Sequence, residues 1–336
     1  MPINGILLER KQDYSTKTSA FESVGMNSGN LVFREALTDN LKLMRMSYQQ
    51  YSEMDSSIES LPIITTDLIW IREDSNFDYL YKRVMDHPNI PFIPISVGIQ
   101  AKNYESNFKL NESTLKTLKA IEERAVIGVR GYYTADILDK HGIKNISVVG
   151  CPSLYYKKDP EFKIQKTSGK LDKVCCNFRT FYGWLNKNEK HFLNFCANKN
   201  YDFIEQTKFE FSPENANDIN YYNFINQWLK RKSNLFFSIK DWKEFSSKFQ
   251  FSLGLRFHGN VVSLWNNIPA LFITIDSRTK ELTEFFDLPS ADISVFENPK
   301  DIDYYYDLAN YDKFNKNYKK KFHNYESFLS KNGLSL

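Results

Sequence analysis

The chain has 336 residues, enough for two domains of ordinary size, and its apolar share of 42% and charged share of 25% are those of a globular protein. Its net charge of +3 is too small to indicate a nucleic-acid partner. No apolar run reaches the ~18 residues of a membrane span, and the first ten residues lack the basic lead and cleavage site of an export signal.

In chain order, the first informative segment is Asn27-Ser28-Gly29-Asn30, ahead of a helical run over 31–43. A small polar loop opening a helix exposes free backbone N–H groups and the positive end of the helix dipole. That suits an anion or a sugar hydroxyl; an ordinary helix cap is the alternative. Strands are expected over 63–64, 68–71, 92–97, 125–129 and 146–149, with helices over 77–86, 112–121 and 132–140 between them. This alternation predicts parallel βαβ units, and Gly142 stops the last of these helices. Gly98-Ile99-Gln100, after the strand over 92–97, offers a place for a ligand to approach the backbone. Glu73-Asp74 follows another strand end and is read as an acidic loop pair. Arg130-Gly131 joins a strand directly to a helix, where an arginine makes either a bidentate contact to carboxylate or phosphate or a structural salt bridge.

A polar stretch over 157–173, containing Pro160, Ser168 and Gly169, reads as a linker. The alternation then resumes. Strands are expected over 174–176, 201–204, 235–238, 249–253 and 270–275, and helices over 189–199, 219–231, 241–248, 261–265 and 279–286. The expected fold class is α/β: two doubly wound Rossmann-like domains facing a cleft, over 1–160 and 161–300, with a helical tail over 301–336. Lys319, Lys320 and Lys321 in that tail belong either to an amphipathic helix packed on the body or to a membrane-surface patch.

The segment Leu255-Arg256-Phe257-His258-Gly259 reads as strand, turn, helix. If the strand stays extended, Arg256 and His258 share a face, so a permanent cation and a ring that titrates near neutrality point at one spot. Gly259 lets the chain turn and leaves room above it. His87, His141, His191 and His323 show no paired spacing and are read as surface residues. The four cysteines, Cys151, Cys175, Cys176 and Cys196, contain no Cys-x-x-Cys pair, so reduced buried thiols in a reducing cytoplasm are expected, with no metal site. There is no Gly-x-Gly-x-x-Gly and no P-loop.

Taken together, Asn27-Ser28-Gly29-Asn30, Gly128-Val129-Arg130-Gly131 and Arg256-Phe257-His258-Gly259 resemble, in that order, the marker segments of the polysaccharide pyruvyl transferases. Supporting pieces are His141-Gly142-Ile143 leading to Val148-Val149-Gly150-Cys151-Pro152, and Asn267-Ile268-Pro269 leading to Ile275-Asp276-Ser277. The resemblance implies a fold similar to the GT-B glycosyltransferases, with the acceptor on the first domain and the donor on the second. It implies phosphoenolpyruvate as co-substrate, no cofactor, and a saccharide acceptor, lipid-linked acceptors included. The product is a cyclic pyruvate ketal on a cell-surface glycan precursor made in the cytoplasm, peripheral contact with the inner membrane face included. Carried over, Arg130 and Arg256 hold the donor, His258 is the catalytic acid/base, and Asn27, Gly29 and Asn30 line the acceptor side. Asn30 stands where the family has aspartate, and Cys151-Pro152 where it has Asp-Pro; the latter is read as structural. Loops over 15–26 and 182–188 are expected to shape acceptor choice. A nucleotide-sugar glycosyltransferase and a catalytically inactive glycan-binding relative are the alternatives.

Overall fold

A computed structural model describes residues 3–53, 61–179, 183–207 and 211–336; Tyr182 of the expected loop over 182–188 lies outside them. The first half carries strands β1 (Gly5–Glu9), β2 (Leu43–Ser47), β3 (Ile63–Thr65), β4 (Phe92–Pro94), β5 (Ile127–Val129) and β6 (Ile146–Val148). Its helices are α1 (Lys17–Ser23), α2 (Gly29–Leu41), α3 (Tyr48–Ser52), α4 (Asp78–Asp86), α5 (Glu112–Glu122) and α6 (Tyr132–Lys140). The second half carries β7 (Val174–Asn177), β8 (Asp202–Glu205), β9 (Ser233–Leu235), β10 (Phe251–Gly254), β11 (Ala270–Thr274) and β12 (Ser290–Asp292). Around these lie α7 (Lys187–Asn198), α8 (Pro213–Ala216), α9 (Ile219–Lys232), α10 (Ile239–Ser246), α11 (Phe257–Trp265), α12 (Ser277–Phe286), α13 (Ile302–Leu308) and α14 (Asp312–Lys331).

Among the described residues every strand pairing is parallel. The first sheet runs β2-β1-β3-β4, and a bridge from Val97 to Val129 joins it to the β5-β6 pair. The second runs β9-β8-β7-β10-β11-β12, the strand order of a dinucleotide-type doubly wound sheet. Strands such as β1 and β11 are buried at every residue, as parallel strands with both faces covered must be. The expected architecture is therefore present: two Rossmann-like halves facing a cleft, in the GT-B manner.

Several local expectations change. The segment over 68–71 is a 3-10 turn, Asp67–Ile69, with a single bridge at Ile71 rather than a strand. β9 ends at Leu235, so most of the strand expected over 235–238 is absent. The segment over 15–26 is largely helix α1, closed by a capping box at Thr16 and Ser19, not an open loop. His87, His141 and His191 are half-buried, and the last two bond the main-chain oxygens of Ile137 and Phe296. All four cysteines are buried and free. No helix among the described residues is long and apolar enough to cross a membrane.

The tail returns to the first half. α14 buries Phe314, Tyr318, Phe322, Tyr325 and Leu329, spaced to make one helical face. Tyr325 stacks on Tyr155 at 4.3 Å, and Asn324 and Asn332 bond the backbone at Val148 and Val126. Lys319 pairs with Glu161 and Lys321 with Asp287.

Candidate active site

In the second sheet the strand order reverses between β7 and β10, which opens a crevice beyond their carboxyl ends. Asn177, the last residue of β7, organises that crevice. Its Oδ1 accepts the Arg256 backbone N–H at 2.6 Å, its main-chain oxygen accepts the Leu255 N–H, and its Nδ2 donates to Asn260. Arg256 is thereby fixed as the N-cap of α11, in extended conformation with φ −87° and ψ 111°. Its Nε donates to the Phe178 oxygen at 3.0 Å and its Nη2 to Thr207 Oγ1 at 3.2 Å.

His258 is already the second residue of α11. Arg256 and His258 thus converge through a helix start, not through the alternation of an extended strand. Gly259 sits inside the helix rather than at a turn. A Cβ there would stand 2.7 Å from Gln206 Nε2 and 2.9 Å from Asn177 Nδ2, so glycine is required by close packing, not by turning.

The Asn27 segment faces this helix start. Ser28 stands at the N-cap position of α2 without a side-chain capping bond, and the helix opens with Gly29 and Asn30, two residues earlier than expected. Asn27 Oδ1 accepts the Gly29 N–H, and Asn30 Nδ2 donates to the Val24 oxygen at 2.8 Å. The Ser28 N–H donates to the Gln206 main-chain oxygen at 2.7 Å. The Gln206 side chain, 2% exposed, fills the gap between the starts of α2 and α11, touching the space above both Gly29 and Gly259. From α2, the Phe33 ring lies 5.6 Å from the His258 ring.

Arg130 joins from the end of β5. It is 8% exposed, its Nη2 reaches the Ser96 oxygen at 3.4 Å, and among the described residues its Nε has no hydrogen-bond partner. The guanidinium lies against Gly98, where a Cβ would be 2.6 Å from Nε. Gly98 therefore makes room for Arg130, where the sequence suggested room for a ligand. Ser96 carries a φ of +69°, a left-handed conformation costly for a residue with a side chain. Beyond β6, Cys151 Sγ lies 3.5 Å from His258 Nε2 and 3.1 Å from Ser153 Oγ.

The halves are closed over the site by α12. Ser277 bonds Ile99 and Ala101 of the first half. Glu281, 2% exposed, accepts the Thr134 N–H at 2.6 Å and the Thr134 hydroxyl at 2.9 Å, capping α6 from across the cleft. Burial pushes its carboxyl up to about 7. Asp276 caps α12 and holds Arg278 at 3.0 Å.

The field here is strongly positive. Burial, then the charges of Arg130, Arg256 and Arg278, push His258 down to about 3. Burial draws Arg256 down to about 10, opposed by Glu205, and draws Arg130 below its usual range. The neutral imidazole is the resting form. A cavity of about 410 Å³ is lined by Tyr14, Ser15, Thr16, Lys17 and Ala20 of the first half and by Leu235 and Phe237 of the second.

The three segments singled out in the sequence thus meet in one place. Asn177, Gln206, Arg278 and Glu281 escaped that reading. Arg278 follows Asp276-Ser277 at once, and a polar pair opening a helix was the available signal for it. The other three matter only through the sheet order.

Fold and site define a two-domain α/β protein of the GT-B type with a cation-rich cleft. The model of the polysaccharide pyruvyl transferase family matches residues 64–277, and the chain belongs to that family. No curated protein matches the chain in sequence. Among solved structures, it is similar to a UDP-GlcNAc 2-epimerase from Neisseria meningitidis bound to UDP-GlcNAc, at 14% identity over 92% of this chain and 81% of that one, TM-score 0.38. A glycosyltransferase from Rickettsia africae shares 9% identity over 98% and 97% of the two chains, TM-score 0.42. A lipopolysaccharide outer core galactosyltransferase shares 8% over 97% and 98%, TM-score 0.43.

Proposed function

We propose that the protein transfers the pyruvyl unit of phosphoenolpyruvate to two hydroxyls of a saccharide, forming a cyclic ketal and releasing phosphate. The observation that carries this reading is the convergence of Arg130, Arg256 and His258 at the starts of α6 and α11, in a member of this family. Phosphoenolpyruvate carries a carboxylate and a phosphate close together. Two permanently charged guanidinium groups suit that pair of oxyanions. Of the two acceptor protons, one ends on the donor methylene, making it a methyl, and the other leaves with phosphate. C2 loses its bond to the phosphate oxygen and gains two to the sugar oxygens. His258 moves these protons, a role worth roughly 10² to 10⁴ in rate.

We assign the acceptor to the Asn27–Asn30 side of the cleft, with the cavity lined by Tyr14, Ser15, Thr16 and Phe237 as a further candidate surface of hydroxyl and aromatic groups. Lipid-linked saccharides at the inner membrane face belong among the candidates. The buried free thiols accord with a reducing cytoplasm, where the donor is made. Asn30 cannot serve as a base, and its amide is committed to Val24, so a relative that binds without turnover is the second reading. The test is incubation with phosphoenolpyruvate and candidate saccharides, following phosphate release and mass gain on the sugar. Turnover that His258→Ala abolishes while donor binding survives supports transfer; donor binding without turnover on any acceptor supports the second reading.

A further inference from the structure

Cys151 is 3% exposed and lies against the one ring the proposed chemistry depends on. Its Sγ is 3.5 Å from His258 Nε2, and no other hydrogen bond of that ring is found among the described residues. On its other side the sulfur meets Ser153 Oγ at 3.1 Å. Ser153 is itself fully buried, and the cysteine is packed in the hydrophobic core. Burial pushes the thiol up, so it keeps its proton. An imidazole N–H is a better donor than a thiol, and the thiol proton has the Ser153 hydroxyl to go to.

We infer that Cys151 is the positioning residue for His258: its sulfur accepts the Nε2 proton, which leaves Nδ1 as the free lone pair that takes the acceptor's proton. The charged and titratable groups facing the ring from each neighbouring element are Arg130 before α6, Cys151 after β6, Arg256 at the head of α11 and Arg278 on α12; α2 presents the uncharged Phe33 ring. Among the described residues no carboxylate touches the imidazole. A neutral sulfur anchors the ring without stabilising its cation, which a carboxylate at the same point would do. As the sugar oxygen bonds C2 of the donor, Nδ1 takes the hydroxyl proton. The resulting cation, beside three arginines, passes that proton to the donor's methylene carbon as the C2–C3 double bond opens. The unpartnered Arg130 Nε marks the same pocket as the place of an anion.

The catalytic half of this inference rests on the proposed transfer reaction, so its test does not depend on turnover. Histidine-labelled protein is titrated by 15N NMR, with His258→Ala identifying the His258 signals among the five histidines. The expected result is an Nε2–H tautomer that stays neutral down to pH 5 in the native protein and in Cys151→Ser. In Cys151→Asp the ring is expected to gain a proton within pH 5–8, a shift of at least tenfold in proton affinity. Cys151→Ala, which cannot accept the bond, is expected to populate both tautomers, so the inference remains testable if the buried aspartate prevents folding. An Nδ1–H tautomer in the native protein, or native tautomer populations in Cys151→Ala, would overturn it. If these shifts appear but no saccharide is turned over, the positioning stands and the transfer reading fails.

Discussion

The Arg256 side chain bonds through different nitrogens, Nε to Phe178 and Nη2 to Thr207, besides its backbone bond to Asn177. A lysine supplies one charge at one point and cannot reproduce that fork. Arg256→Lys is expected to raise the donor KM on the order of tenfold or more, about 1.4 kcal/mol, and to lower the melting temperature as the fork is lost. Steady-state kinetics at varied phosphoenolpyruvate checks this; an unchanged KM would remove Arg256 from the donor site. Arg130 differs, because its Nε is buried and unpartnered and its guanidinium presses on Gly98. An unsatisfied buried donor costs about 1–3 kcal/mol unless something binds it. Donor binding is therefore expected to raise the stability of the native protein more than that of Arg130→Met, read as the difference in thermal shift. Residue types and local order were enough to single out Arg130, Arg256 and His258. Asn177 and Arg278 were not legible, because their importance comes from which strand ends lie side by side, and that is a property of the sheet.

At the scale of elements, the site is a meeting of helix starts. Gly29 on α2 and Gly259 on α11 both abut Gln206, so the two helices approach as closely as glycine permits. Gly259→Ala places a Cβ 2.7 Å from Gln206 Nε2. Overpacking of that kind costs about 1–3 kcal/mol, enough to outweigh alanine's better helix propensity. A lowered melting temperature, partly restored by adding Gln206→Ala, is the expected outcome; an unchanged one would contradict the packing argument. Elements with punctuation were readable: α6 begins after Gly131 and is closed by Gly142, which has a φ of +80°. The start of α11 was misread because the apolar run begins only at Val261, whereas the helix is set by Asn177 gripping the Arg256 backbone. β2, with sequence LMRMS and a half-buried middle, lacks any clear period and is held by its register with β1.

Across the whole molecule, the two halves are tied by α12 and by the returning α14. Glu281 is the titratable part of that tie. Burial raises its carboxyl in the folded state to about 7, from the 4.5 usual for a glutamate. Its contribution to stability is therefore full below about pH 4.5 and is lost as pH rises through 7, on the order of 3 kcal/mol in all. His258 acts in the opposite direction: it is held neutral, so stability falls as pH drops below 6.5 and the unfolded chain takes up a proton. Glu281→Gln keeps an acceptor for the Thr134 N–H and removes the charge. Urea melts at pH 5 and pH 8 are expected to show a smaller loss of stability toward pH 8 in this variant than in the native protein; equal losses would contradict the interdomain role of Glu281. The alternation of strands and helices made the two doubly wound halves legible, but not their closure, which depends on single residues such as Ser277 and Glu281 reaching across. The central claim is that this closed, cation-rich cleft is a phosphoenolpyruvate site. Thermal shift of the native protein and Arg256→Ala with phosphoenolpyruvate, inorganic phosphate and UDP-sugars tests it most directly. A rise with phosphoenolpyruvate that exceeds the others and disappears in Arg256→Ala is predicted; no rise, or a larger one with the nucleotide sugars, would contradict it.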